Sequence, residues 1–315
     1  MSGYSTADDS ELPESGFYAD RRRFLEVLAG ASAGLLLGAP SFAAAARETS
    51  LQDQVLDLLR RLRTQGALSA YERTSWCVYD FTAGRKLVSI NEEAPRQAAS
   101  MIKPFVAQAF FFQADDNPRR VRYTEDVHQT MARMIRHSSN SATNALIDLV
   151  SRNQSGRGPR DVEAVLKSHA PNVFRETRIV EKIPADGKTY RNQASARDYE
   201  RFLYAMWLGQ LPYSREMRSL MALPNHDRIA QGVNAMPETI RVYDKTGSTA
   251  QLCGNMGIIE ASSWGGRSVP YTFIGIIERP GGAKSYGTWI TKRSNAIRTV
   301  SNLVYLYMKD RYQLA

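Results

Sequence analysis

Apolar residues recur at helical spacing along Leu51–Arg63 with charged residues between them, so an amphipathic helix is expected there. Two short runs rich in β-branched and aromatic residues follow, Thr74–Phe81 and Lys86–Asn91, and read as strands. At Ser100 the pattern changes. Met101 to Phe112 is apolar almost all round, the mark of a buried helix, and helical periodicity dominates to about Gly209. Within it, Met131–His137 and Asn144–Val150 read as helices. Ser138, Ser139 and Asn140 fall in the break, where Asn140 or Ser141 is expected to cap the second helix. Asn153–Arg160 is polar and Gly-rich and reads as a loop. Strand patterns return at Thr239–Lys245, Cys253–Glu260 and Tyr271–Glu278, and Trp289–Tyr312 closes as a helix. Both ends of the chain therefore feed one five-stranded antiparallel sheet flanked by terminal helices. An all-helical lobe, about residues 100–215, is inserted, which makes the fold α+β.

Ahead of this pattern, Arg21-Arg22-Arg23-Phe24-Leu25 precedes an apolar stretch from Val27 to Ala39 and the small residues Ala43–Ala46. That order resembles a twin-arginine export signal. The stretch is Gly- and Ala-rich and too short for a comfortable membrane span. Residues 1–46 are expected to be removed and 47–315 to form one exported domain, periplasmic or secreted, with the twin-arginine machinery as a partner. Residues 1–46 hold three Arg and six acidic residues, so the net charge of +9 rises to +12 without them. The positive residues are scattered and no nucleic-acid motif appears. An anionic small molecule or an anionic envelope surface is the simpler partner.

Cys77 and Cys253 fall in separate strand patterns and pair only if the fold brings their Cα atoms within about 7 Å. Buried free thiols are expected. His128, His137, His169 and His226 show no metal-ligand spacing, so no metal or other cofactor is expected.

Three short strings hold the candidate chemistry. In Ser100-Met101-Ile102-Lys103, residues three apart are neighbours on a helix, so Lys103 is expected to reach the Ser100 oxygen. Burial disfavours the ammonium form and lowers its pKa towards that of a general base. Unpaired N–H groups at the helix start suit Ser100 as nucleophile and oxyanion donor together. Pro104 agrees with a first turn. In Ser138-Ser139-Asn140, a loop hydroxyl is placed to carry a proton to a leaving nitrogen, and Asn140 to hold a substrate amide. In Lys245-Thr246-Gly247-Ser248, Gly247 within a strand signals close approach to the backbone. Lys245 and the Thr246 hydroxyl then suit a carboxylate, and the Ser248 N–H a second oxyanion donor.

With these strings in this order, the chain resembles the penicillin-recognising serine hydrolases, the class A β-lactamases and D-alanyl-D-alanine peptidases. The resemblance runs from about Leu51 to the C-terminus. Met134-Ile135, Ala142-Thr143-Asn144-Ala145-Leu146 and Asp227-Arg228-Ile229 support it. It implies the β-lactamase/transpeptidase fold, with Ser100 as the acylated nucleophile, Lys103 as its base and Ser138 as proton shuttle. Asn140 would bind substrate, and Lys245, Thr246, Gly247 and Ser248 would hold its carboxylate and the oxyanion. The implied reaction opens β-lactam amides through a serine acyl-enzyme. The alternatives are a D-alanyl-D-alanine carboxypeptidase or endopeptidase acting on peptidoglycan stem peptides, and a penicillin-binding sensor that acylates and stops.

Two departures stand out. Only 38 positions separate Ser100 from Ser138, fewer than in typical class A β-lactamases, so loops that wall the cleft are expected to be missing. Those enzymes also carry a Glu, followed by Leu-Asn three and four residues later, that positions the hydrolytic water. That motif is absent from the corresponding stretch Arg178–Tyr190, where Glu181 is the one carboxylate considered for the role.

Overall fold

The structure is a computed structural model describing residues 49–184, 186 and 191–315, and the export signal expected over residues 1–46 lies outside the described residues. Helix α1 (Leu51–Thr64) starts where the Ser50 hydroxyl accepts from the Asp53 N–H, and it buries Leu51, Val55, Leu59 and Leu62. Strands β1 (Arg73–Asp80) and β2 (Arg85–Ile90) form a hairpin. The helical lobe follows, and the chain returns as β5 (Arg241–Ser248), β6 (Leu252–Ser262), β7 (Ser268–Glu278) and the closing helix α8 (Tyr286–Tyr312). The sheet order is β2-β1-β7-β6-β5, antiparallel throughout. The expected five-stranded sheet and α+β fold are therefore present.

Side chains alternate across the strands and sort the core into two halves. Trp76, Val78, Tyr271, Phe273 and Ile277 face the layer of α1 and α8, while Cys77, Ile274 and Ile276 face the helical lobe. Both faces are covered, so β6 and β7 are buried almost without interruption. The β1–β7 seam that joins the two ends of the chain pairs Trp76 with Gly275. A Cβ at Gly275 would lie 2.6 Å from Trp76 Cζ3, so the indole rests where a side chain would be. Cys77 and Cys253 are buried free thiols on opposite faces of the sheet, which prevents their pairing.

In the lobe, the two-residue strands β3 (Arg96–Gln97) and β4 (Gln193–Ala194) pair with each other. A 3₁₀ turn (Ala99–Ile102) leads into α2 (Lys103–Asp116), whose residues are buried from Lys103 to Ala114. Helices α3 (Glu125–Arg136), α4 (Asn140–Arg152), α5 (Pro159–His169), α6 (Ala196–Trp207) and α7 (Ser214–Met221) complete the lobe. Phe105 of α2 meets Phe174, Tyr199 and Phe202 at ring centroid distances of 4.9–5.2 Å.

Several boundaries differ by a few residues from those the sequence pattern predicts, and three of them have a local physical cause. Strand β5 runs on through Gly247 to Ser248, because Gly247 pairs in register with Gly254 and the ladder overrides the glycine's tendency to break strands. The cap of α4 is Ser139, whose Oγ accepts from the Ala142 N–H at 3.2 Å, rather than Asn140 or Ser141. The expected loop 153–160 is shorter, since Pro159 already opens α5. Among the described residues, no helix is long and apolar enough to cross a membrane.

Candidate active site

Ser100 lies on the 3₁₀ turn between the strained residue Ala99 (φ +46°) and the start of α2. A left-handed alanine costs about 1–2 kcal/mol and needs its surroundings to hold it. The holding group next door is Met101, fully buried against the cross-strand glycine pair Gly247–Gly254. A Cβ on Gly247 would lie 3.0 Å from Met101 Cγ and 3.2 Å from Ala99 Cβ, and one on Gly254 would lie 2.7 Å from Met101 Cε. The turn carrying Ser100 is thus pressed onto β5. Gly254→Val is expected to push Met101 out of this notch, lowering stability by about 1–3 kcal/mol and slowing acylation of Ser100. Thermal unfolding and labelling rate measured together check this, and an unchanged pair of values would contradict the packing described.

Strand β5 forms one edge of the sheet. The Thr249 N–H donates to Leu252 O at 2.9 Å, so by alternation the Gly247 and Lys245 amides face β6. The Ser248 and Thr246 amides consequently face the free edge, beside the Ser100 turn. Arg228 braces this strand from behind: its guanidinium donates to Gly247 O (3.2 Å), Gly254 O (2.7 Å), Ser248 Oγ (2.6 Å) and Ser294 Oγ (2.8 Å). Asp227 accepts the N–H groups of Ile229, Ala230 and Gln231 and so shapes the turn that aims Arg228. The string Asp227-Arg228-Ile229 does not by itself reveal this role of Arg228, because its partners lie about twenty or more residues away.

Lys103 is completely buried. Its Nζ donates to the Ser138 carbonyl and to Asn140 Oδ1 (3.1 Å) and lies 3.0 Å from Ser138 Oγ. Burial, and then the Lys245 cation, bring its pKa down to about 6. At neutral pH the amine is thus mostly uncharged and has a lone pair able to take a proton. The Ser100 hydroxyl is not among its partners. A buried amine needs its hydrogens satisfied, and the oxygens of Ser138 and Asn140 do this in place of the expected direct contact. Ser138 itself is left-handed (φ +53°), a second strained residue within the same cluster. Lys245 is also buried, with a pKa lowered to about 8 by burial and by Arg228 against the opposing pull of Asp244. The Asp244 carboxyl is raised to about 6 by burial and Asp227, while accepting from Asn225 and Asn255.

The loop that carries the water-positioning Glu in class A enzymes reaches this cluster through other residues. Asn144 Nδ2 donates to Ile183 O (2.7 Å), the Ile183 N–H donates to Asn144 Oδ1 (2.9 Å), and Asn140 Nδ2 lies 3.5 Å from Pro184 O. The Glu181 carboxylate accepts the Arg191 N–H at 2.9 Å, with the Arg191 guanidinium 3.9 Å away. Among the described residues, no carboxylate offsets the effect of burial on Lys103.

Away from this cleft, Cys77, Glu92 and Glu200 bring a thiol and two carboxylates within 4.8 Å of one another. Lys86 already pairs with both carboxylates and Arg197 with Glu92 at 2.8 Å, so the two negative charges are balanced without a metal ion.

The profile of the beta-lactamase enzyme family matches residues 119–307. No protein with a curated description matches the chain. Among solved structures, a mutant of PBP-A captured as its acyl-enzyme with penicillin G superposes with a TM-score of 0.63 at 20% identity, covering 82% of this chain and 96% of that one. A β-lactamase from Xanthomonas campestris pv. campestris gives 0.62 at 19% identity, covering 81% and 98%. An ancestral class A β-lactamase gives 0.60 at 19% identity, covering 82% and 100%. At such identities the likeness is one of fold.

Proposed function

The chain belongs to the beta-lactamase enzyme family, and from that footing we propose that it is an exported serine hydrolase that opens β-lactam amides through an acyl-enzyme on Ser100. The observation that carries this reading is the buried, mostly neutral Lys103 bound to Ser138 and Asn140, one helical turn from a serine whose neighbours Ala99 and Met101 pack on the Lys-Thr-Gly edge.

The substrate carboxylate meets Lys245 and the hydroxyls of Thr246 and Ser248, the last held by Arg228. The substrate carbonyl points at the N–H groups of Ser100 and Ser248, which stabilise the oxyanion as the Ser100 oxygen attacks. The Ser100 proton goes to the Lys103 amine. Ser138, next to that amine, passes a proton to the departing nitrogen and is reprotonated by Lys103, while Asn140 positions the substrate amide.

A second reading has a specific observation behind it. The loop meets Asn140 and Asn144 through Pro184 and Ile183, and Glu181 is engaged by Arg191, which favours acylation over hydrolysis of the ester. A penicillin-binding D-alanyl-D-alanine peptidase, or a sensor that stays acylated, fits that arrangement. Mixing the protein with a chromogenic β-lactam, a fluorescent penicillin and a D-Ala-D-Ala pentapeptide tests all three. We expect about one acyl group per chain in the burst. Steady turnover marks the lactamase, D-Ala release without turnover the peptidase, and a stable label alone the sensor. No burst and no label would remove the acyl-enzyme itself. Export by the twin-arginine route, to the periplasm or medium, is supported by Arg21-Arg22-Arg23 and the apolar stretch behind it, and cell fractionation tests it.

A further inference from the structure

Gln97 lies three residues before Ser100 and is buried. Its backbone N–H donates to Glu278 Oε1 at 3.1 Å, and Arg96 beside it pairs with the same carboxylate, so this segment is moored to the end of β7. Its side chain reaches the turn that joins β5 to β6. Thr249 Oγ1 donates to Gln97 Oε1 at 2.8 Å, and Gln97 Nε2 donates to Gln251 Oε1 at 2.7 Å. The Thr249 hydroxyl also accepts the N–H groups of Gln251 (3.1 Å) and Leu252 (3.0 Å), so the group that closes the turn is the one Gln97 holds. A buried amide engaged at both its oxygen and its nitrogen fixes one geometry.

The two oxyanion donors sit on separate pieces of chain, Ser100 on the 3₁₀ turn and Ser248 at the end of β5. Met101 in the glycine notch ties these pieces on one side. The Gln97 bridge ties them on the other, one residue beyond Ser248 and across the strained Ala99 from Ser100. We propose that Gln97 is a positioning residue for acylation, its side-chain amide setting the separation of the Ser100 and Ser248 N–H groups through Thr249 and Gln251. This rests on the acyl-enzyme reading above.

Gln97→Met keeps the length of the side chain and removes both hydrogen bonds. A displacement of about 1 Å at reacting groups costs up to about 10²-fold, so acylation by a fluorescent penicillin is expected to slow about 10- to 100-fold with its half-saturation concentration unchanged. The infrared ester carbonyl band of the acyl-enzyme is expected to move to higher wavenumber as the donors separate. Thr249→Val should reproduce both changes and Thr249→Ser neither. The double variant Gln97→Met/Thr249→Val should be no slower than the slower single, since both cut one bridge. Slower acylation with the carbonyl band in place would reduce Gln97 to a structural role and overturn the proposal, as would a wild-type rate. If Gln97→Met does not fold, Thr249→Val interrogates the same bridge from its other end. Failure of the unaltered protein to acylate would refute the underlying reading and this proposal together, whereas normal acylation with an indifferent Gln97→Met would refute this proposal alone.

Discussion

Ser100→Ala is expected to abolish covalent labelling by a fluorescent penicillin while leaving the fold intact. The variant removes one oxygen from a partly exposed side chain on a turn held by other groups, namely Met101 in its glycine notch and the backbone bond from Met101 N to Ala98 O. Loss of the nucleophile in serine hydrolases of another fold costs on the order of 10⁶ in rate. Mass spectrometry of the intact chain after exposure to the probe reads the result directly. A surviving adduct of the same mass would assign the attack to another side chain.

Lys103→Met should bring the next largest loss, about 10²–10⁴-fold in acylation, the range a positioned general base supplies. Methionine suits the apolar surroundings of α2, so a folded protein is expected. The pH dependence of the unaltered protein carries the finer evidence. A base acts when deprotonated, so the rate should climb as pH rises through about 6, where Lys103 loses its proton. It should fall as pH rises through about 8, where Lys245 ceases to be a cation able to hold a carboxylate. The profile is then a bell with its plateau between those values, and Lys103→Met should lack the acid limb. A rising limb near the ordinary lysine range would mean that Lys103 is charged at neutral pH and not the base.

Much of this arrangement was legible in the sequence, and the illegible parts share a physical cause. The strands are marked by β-branched and aromatic runs, the central β1, β7 and β6 being buried on both faces, and α2 by a run that is apolar all round. The three strings converge because each lies on an element whose end meets the cleft. The three-residue spacing brings Lys103 near Ser100 along the turn but does not record the bonds that the buried amine makes across the fold, to Ser138 and Asn140. The roles of Arg228 and Gln97 are hidden in the sequence for a related reason. Their hydrogen bonds go to backbone carbonyls, or to neutral side chains about twenty to one hundred and fifty positions away, and no local pattern records such a pairing. Met101 reads as one more apolar residue until the Gly247–Gly254 pair shows the hollow it fills.

The outer amides of β5 have a consequence beyond catalysis. An open sheet border is a template on which further polypeptides can stack, and growth from such borders leads to fibrils. Here that border is occupied in part by the turn bearing the nucleophile, which packs on Gly247 and leaves less of the strand open to another chain. The features that ready this strand for a small guest therefore also discourage self-assembly, so solubility and recognition make the same demand on it.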